Sequence, residues 1–372
     1  MKEQNTLYER YQRQMILKGF GPEGQEKLQK SSVLVVGAGG LGCPALQYLV
    51  AAGVGSIGIV DNDVVSLHNL HRQVLFTTTD IGREKAEVAA QRLTQMNPDI
   101  SIAAFPVRLT NQNALDIIGD FNLVLDATDN FATRYIINDA CVLLNKPLVY
   151  GAISQFEGQV AVFNAGKGSV NYRDLFPQSP EPGSVLNCAE AGVLGVLPGI
   201  IGTMQATEVI KLLTGMGKPL VNQLFTYNAL TNDSYVFELF PKEETSRLLP
   251  TTETEFQKMD YEWLCEAPAV EEIDRIAFNE LLHRTNAAAI DVRKENELPE
   301  ITEFNHQKIP LSLLKENLSS ITADTVIFFC QSGKRSLQAA KLLSATFGQR
   351  KKVYSLKGGI LQWKKEQDGK EA

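Results

Sequence analysis

Three groups of residues in this 372-residue chain have types and spacing that could do chemistry. The first begins at Gly37, Gly39, Gly40 and Gly42 in Gly37-Ala38-Gly39-Gly40-Leu41-Gly42. Glycines spaced in this way let a phosphate approach backbone N–H groups at a helix N-terminus. They also serve any tight strand-to-helix turn for purely steric reasons. Asp61, at the end of the next predicted strand, could bind ribose hydroxyls, and together the two features predict a nucleotide site. Asn69, Arg72 and Gln73 follow, Lys85 opens a predicted helix, and Asp129-Asn130 lies just past a further strand. Two cations and a carboxylate suit a triphosphate with Mg²⁺: the cations neutralise phosphate oxygens and Asp129 supplies a hard oxygen ligand. Taken singly, Arg72 and Lys85 read equally well as surface charges and Asp129 as a helix cap.

The second group is a thiol loop, Cys330-Gln331-Ser332-Gly333-Lys334-Arg335, after the apolar run Val326–Phe329. Backbone N–H groups at the following helix start, with Lys334 and Arg335, are expected to favour the Cys330 thiolate. Phosphatase loops also place Cys and Arg around an anion, but with one more residue between them. The third is Cys188, in Pro180-Glu181-Pro182-Gly183-Ser184-Val185-Leu186-Asn187-Cys188. Two prolines and a glycine upstream predict a loop, where a thiol that must meet a bulky protein substrate would sit. A lone cysteine is otherwise most often a small buried hydrophobe, and Cys43, Cys141 and Cys265 are read so.

These groups need strands and helices to position them. Val33–Val36, Ser56–Val60, Asn122–Asp126 and Pro147–Tyr150 read as buried strands, with helices over Arg83–Met96, Asn130–Leu144 and Pro198–Leu213. Strands alternating with helices predict an α/β fold with a mostly parallel sheet covered on both faces. Composition shifts near Pro241. The expected organisation is a nucleotide domain over 1–245, a linker over 246–272 with a short helix around Tyr261–Leu264, and a small α/β domain over 273–372.

Composition excludes several classes. Hydrophobic residues are 44% and charged residues 21%, ordinary for a globular protein and too apolar for disorder over most of the length. With 36 basic against 43 acidic residues the net charge is −7, which argues against broad nucleic-acid or anionic-membrane binding. The polar opening MKEQNTLYERYQRQ lacks the pattern of a signal peptide, and the longest uncharged run is broken by Pro198 and glycines. A cytoplasmic location is expected. The 5 cysteines are scattered, none in a Cys-x-x-Cys pair, so neither a disulfide framework nor a paired-cysteine zinc site is predicted.

Taken in order, GAGGLG, DNDVVSLHNLHRQ, GREKAE and DATDN resemble the Rossmann-like adenylating domain of the MoeB/ThiF/HesA group, relatives of ubiquitin-activating enzymes, from about Tyr8 to Pro241. The resemblance implies ATP-dependent adenylation of the C-terminal glycine of a ubiquitin-like sulfur carrier ending in Gly-Gly. It implies that Gly40, Asp61, Asn69, Arg72, Lys85, Asp129 and Asn130 contact ATP and Mg²⁺. Arg13 matches an arginine that reaches into the partner subunit's site, so a homodimer is implied. The same resemblance makes Cys188 a candidate conjugating cysteine. The second domain, with Cys330–Arg335, Asp291-Val292-Arg293, Glu295 or Glu297 nearby, Ile309-Pro310, and Gly358-Gly359 before Trp363, resembles rhodanese sulfurtransferases over about Ile273–Gln367. That implies a persulfide on Cys330, loaded by a donor such as a cysteine desulfurase or thiosulfate. Transfer of its sulfur to the adenylate would leave a carrier thiocarboxylate, for molybdopterin, thiamine or tRNA-thiolation chemistry.

One departure stands out. Relatives of this kind carry a zinc held by two Cys-x-x-C pairs, but this chain has Asn171-Tyr172-Arg173-Asp174 where the first would be and no pair after Phe240. No zinc is expected, with packing holding the segment instead. Two other readings remain open: a nucleotide-dependent oxidoreductase, which would need an acid or base at a hydride site, and a non-catalytic carrier-binding scaffold, which would not need to keep Arg72, Lys85 and Asp129.

Overall fold

The β-branched run Ser32–Val36 forms β1, and the glycines after it turn the chain into the helix Gly42–Ala52. The strands β2 (Ser56–Val60), β3 (Ser101–Phe105), β4 (Leu123–Asp126) and β5 (Leu148–Ser154) lie parallel to it. Three more, β6 (Glu157–Phe163), β7 (Gln223–Asn228) and β8 (Ser234–Glu238), extend the sheet antiparallel. The resulting order is β3-β2-β1-β4-β5-β6-β7-β8. These features are taken from a computed structural model that describes residues 2–177, 192–261, 270–283, 286–347 and 351–367. The described residues divide into two compact units, one ending at Tyr261 and the other running from 270 onward.

In the first unit β1 pairs with β2 on one side and β4 on the other, so chain order reverses between β1 and β4. A crevice opens at such a reversal, beyond the carboxyl ends of the strands. The run of buried valines, leucines and isoleucines in β1, β2 and β4 is what a strand covered on both faces requires. Helices Gly42–Ala52, Lys85–Met96 and Leu197–Thr214 supply much of the cover, through Leu46, Leu49, Val88, Leu93, Ile201 and Val209. The sequence predicts the parallel strands β1, β2, β4 and β5, whereas the parallel edge strand β3 and the antiparallel β6–β8 are not read from it.

The expected linker over 246–272 is corrected for its first part. Residues up to Tyr261 belong to the first unit, because Phe256 and Tyr261 are buried and Asn111 Nδ2 donates to the carbonyls of Gln257 (2.8 Å) and Met259 (2.9 Å). The Tyr261 hydroxyl donates to Asp139 Oδ2 at 2.9 Å. Apolar and hydrogen-bonding anchors scattered through a polar stretch leave no composition signal. The short helix expected around Tyr261–Leu264 falls mostly outside the described residues.

The Asn171–Asp174 segment shows how its end of the molecule is tied down. Tyr172 is buried among Tyr135, Tyr150, Phe163 and Phe176, so aromatic packing holds the segment. Polar contacts add to it. Asn171 caps the helix Tyr172–Leu175, and Asp174 accepts from the Lys242 backbone N–H at 3.0 Å and from the Thr245 hydroxyl. Beside it Arg173 forms a two-pronged pair with buried Asp139, at 2.8 Å and 2.7 Å. Among the described residues no group of three or more His, Cys, Asp or Glu side chains is placed to hold a metal ion.

The second unit is a parallel sheet in the order β11-β10-β12-β13-β9, from β9 (Glu271–Ile273), β10 (Ala287–Asp291), β11 (Gln307–Lys308), β12 (Thr325–Phe329) and β13 (Lys352–Leu356). Phe328 packs on one side with Ile290, Leu314 and Leu343, and Phe329 on the other with Phe278, Phe304 and Trp363. Alternation along β12 therefore builds two cores and delivers Cys330 to the strand's carboxyl end. No helix among the described residues is long and apolar enough to cross a membrane.

Candidate active sites

Val36, Val60 and Ala127, at the carboxyl ends of β1, β2 and β4, floor a pocket at the strand-order reversal. Gly37 is obligatory there: its φ is +98° and a Cβ would stand 2.7 Å from the Ala127 carbonyl oxygen. Gly39 and Gly40 line the pocket, whereas Gly42 lies behind it, where a Cβ would collide with the Gly37 carbonyl at 1.9 Å. The glycines thus divide into two that leave room for a ligand and two that let the turn close.

Asp61 follows β2 and accepts from the Ala38 N–H at 2.7 Å and the Asp63 N–H at 2.8 Å. Burial pushes its carboxyl above the ordinary value, opposed chiefly by Lys85. Lys85 is buried at the start of its helix and donates to Asp63 Oδ2 at 2.8 Å, so Asp63 aims it at the pocket. Arg72 donates to Asn69 Oδ1 at 2.9 Å. Asn69 is not in the pocket wall and acts behind Arg72. Asp129 and Asn130 both line the pocket; the helix cap is Asn130, whose Oδ1 accepts from the Thr133 N–H at 2.8 Å, which leaves Asp129 exposed to the crevice.

The pocket holds residues that the sequence reading missed. Arg134 is buried, donates to the Thr128 carbonyl at 2.9 Å and lies over the Tyr150 ring at 5.5 Å. Its counter-charge is Asp126, 3.9 Å away and 1% exposed, with a carboxyl that burial raises against the pull of Arg134. An arginine inside the apolar run Phe131–Ile137 was the available signal. Arg108 also lines the wall. Two buried polar atoms of pocket residues, Gln73 Oε1 and Arg134 Nε, have no hydrogen-bond partner. Orphaned buried groups are costly unless a ligand or water completes them; Arg134 Nε calls for an acceptor such as a phosphate oxygen and Gln73 Oε1 for a donor, which a polar ligand such as a nucleoside triphosphate, with its hydroxyl and amino groups, can supply.

Arg13 is exposed on the helix Lys2–Met15 and takes no part in the wall of its own pocket. Cys188 lies outside the described residues, as does Cys265. Cys43 and Cys141 are buried, and burial pushes the Cys43 thiol up to about 12 and that of Cys141 higher still, in keeping with inert packing.

In the second unit the thiol loop is clamped by backbone. The Cys330 carbonyl accepts from the Ile360 N–H at 2.8 Å and the Gln331 carbonyl from the Leu361 N–H at 3.2 Å. A Cβ on Gly359 would sit 2.5 Å from the Cys330 oxygen, which explains the glycine pair before Trp363. Gly333, with φ +89°, turns the loop into the helix Lys334–Phe347. The Ser336 N–H donates to Cys330 Sγ at 3.3 Å, and Ser336 Oγ is held by Gly333 and Ser355. Lys334 is exposed. The Arg335 guanidinium, which interacts with Cys330 through its charge, also forms a two-pronged pair with Glu297, Nη1 to Oε2 at 2.8 Å and Nη2 to Oε1. Of the two glutamates left open by the sequence, the pairing falls on Glu297.

Fold and sites together define a nucleotide-binding α/β enzyme joined to a domain that presents a cysteine at a helix start. Residues 11–248 match the ThiF family and residues 276–366 the rhodanese-like domain. The chain belongs to the ThiF family and carries a C-terminal rhodanese domain. A relative described as the sulfur carrier protein adenylyltransferase of Thermus thermophilus is 59% identical over 226 residues, 60% of this chain and 83% of that protein. The probable adenylyltransferase/sulfurtransferase MoeZ of Mycobacterium tuberculosis is 41% identical over 373 residues, 96% of this chain and 93% of that one. A crystal structure of E. coli MccB with ATP has a TM-score of 0.52 and 22% identity, covering 59% of this chain and 67% of that chain, a likeness of fold. The chain is an enzyme with adenylyltransferase and sulfurtransferase activity.

Proposed function

We propose that the first unit adenylates the C-terminal glycine of a ubiquitin-like sulfur carrier with MgATP, and that Cys330 supplies the sulfur. The observation that carries this reading is the convergence of Arg72, Lys85, Arg134 and Asp129 on one crevice, where Gln73 Oε1 and Arg134 Nε are buried without a hydrogen-bond partner. In this reading Asp61 holds the ribose, Gly39 and Gly40 admit the phosphates, and Asp129 and the triphosphate share the magnesium ion. The cations offset repulsion as the carrier carboxylate attacks the α-phosphorus; pyrophosphate leaves with the electron pair of the broken P–O bond. Arg13 would complete the site of a second subunit in a homodimer.

The acyl-adenylate then has AMP as a good leaving group. A Cys330 persulfide attacks the acyl carbon, AMP departs, and an acyl disulfide joins carrier and enzyme. A second thiol, Cys188 or another, breaks that disulfide by forming its own bond to the Cys330 sulfur and releases the thiocarboxylate. An external dithiol then reduces the enzyme disulfide.

Pyrophosphate exchange into ATP, measured with Mg²⁺ and with carriers ending in Gly-Gly, tests the reading. Exchange that depends on one such carrier is expected. A folded, ATP-binding protein that shows no exchange with any carrier refutes it in favour of a scaffold.

A further inference from the structure

The mouth of the thiol loop carries a charge pairing that sulfur transfer by itself does not require. Arg335 closes the six-residue loop and is the second residue of the helix Lys334–Phe347. Both of its terminal nitrogens are spent on Glu297, which arrives from the segment after β10. The side chains of the pair are 33% and 19% exposed, and Arg335 lies close enough to the buried Cys330 for their charges to interact. Asp291 is paired with Arg293 at 2.7 Å and acts on Arg335 more weakly than Glu297 does. Hydrogen bonding to Arg335 holds the Glu297 carboxyl down at about 2, so it is ionised at any physiological pH.

Resting on the sulfur-transfer role of Cys330, we infer that Glu297 sets the choice of sulfur donor by cancelling the charge of Arg335, so that Cys330 takes sulfur from a hydropersulfide in preference to thiosulfate. The donors differ in charge. Loading from thiosulfate forms a bond between the Cys330 thiolate and the outer sulfur, breaks the S–S bond and releases sulfite with the electron pair. The entering dianion gains from an uncompensated guanidinium and loses when that charge is paired. Loading from a hydropersulfide, R–S–SH, forms the same bond and releases the thiolate R–S⁻, the proton staying on the transferred sulfur. That donor is neutral when protonated and is affected far less.

Full-length protein with Glu297→Gln, a change that keeps the shape and removes the charge, tests this. Thiosulfate-to-cyanide transfer reports KM and kcat, cyanide removing the transferred sulfur as thiocyanate and restoring the thiolate. Cysteine hydropersulfide is the second donor, with the gain of one sulfur at Cys330 read by mass spectrometry. For E297Q the KM for thiosulfate falls on the order of tenfold with kcat within about twofold, and the gain fades as salt rises. Hydropersulfide loading changes by less than about threefold, and adding Arg335→Gln removes the gain. Glu297→Asp, too short to hold both nitrogens, shifts KM the same way by less and serves should E297Q fail to fold. An unchanged or higher KM, an equal gain with both donors, or a gain that survives loss of Arg335 overturns the inference while leaving sulfur transfer intact. If wild-type Cys330 takes sulfur from neither donor, the sulfur-transfer reading falls and this inference with it.

Discussion

Asp126 and Asp129 stand three positions apart at the end of β4, and the structure predicts opposite consequences for their loss. Asp126 is 1% exposed, accepts from Thr128 N at 2.9 Å and Thr128 Oγ1 at 2.6 Å, and is the counter-charge of buried Arg134. Replacing it with alanine strands Arg134 in the interior, a loss of about 3–5 kcal/mol. At roughly 2–4 °C per kcal/mol for a unit of this size, the first unit should melt about 6–20 °C lower. Asp129 is exposed to the crevice. Asp129→Asn should therefore change stability by no more than about 0.5 kcal/mol, yet lower carrier-dependent pyrophosphate exchange by about 10²–10³, equivalent to about 3–4 kcal/mol of transition-state stabilisation. Sulfur loading at Cys330 should be unaffected. Differential scanning calorimetry and exchange on the same preparations separate the two effects. An Asp129→Asn protein that melts early, or one that exchanges normally, refutes the assignment, as does an Asp126→Ala protein as stable as wild type.

Removing the Asp174 carboxylate (Asp174→Ala) deprives the Lys242 and Asn171 backbone N–H groups of their acceptor; denaturant unfolding should show a loss of about 2–3 kcal/mol, while a zinc chelator leaves wild-type stability unchanged. Stoichiometric zinc in purified protein would contradict that expectation. The Asp61 carboxyl is raised by burial, so its contribution to folding is present below the ordinary aspartate pKa and lost as pH rises through the raised value. Ribose binding needs the ionised form, hence ATP affinity measured by calorimetry should begin to fall on acidification at a pH above the ordinary aspartate range, and Asp61→Asn should abolish that dependence. Mixing Arg13→Ala with Asp129→Asn subunits should restore up to roughly a quarter of wild-type exchange, because each mixed dimer regains one intact site; no recovery after subunit exchange would rule out a role for Arg13 across the interface.

The amino-acid sequence by itself determined the features that depend on near neighbours in the chain. The apolar runs ending at Val36, Val60 and Asp126 specify parallel strands, the glycines at 37–42 and 358–359 specify turns that other residues would block, and Cys330 follows its strand by one position. Period and backbone sterics act over a few residues, so they can be read locally. Other features are decided by packing between distant segments. Arg134 enters the pocket because Tyr150 and Asp126 converge on it. Lys85 is aimed by Asp63, and residues 246–261 join the first unit through Phe256, Tyr261 and Asn111. The choice of Glu297 over Glu295 as the partner of Arg335 is of the same kind. Charges and hydrogen bonds act across a few ångströms of space, and only the tertiary fold determines which side chains come within that distance.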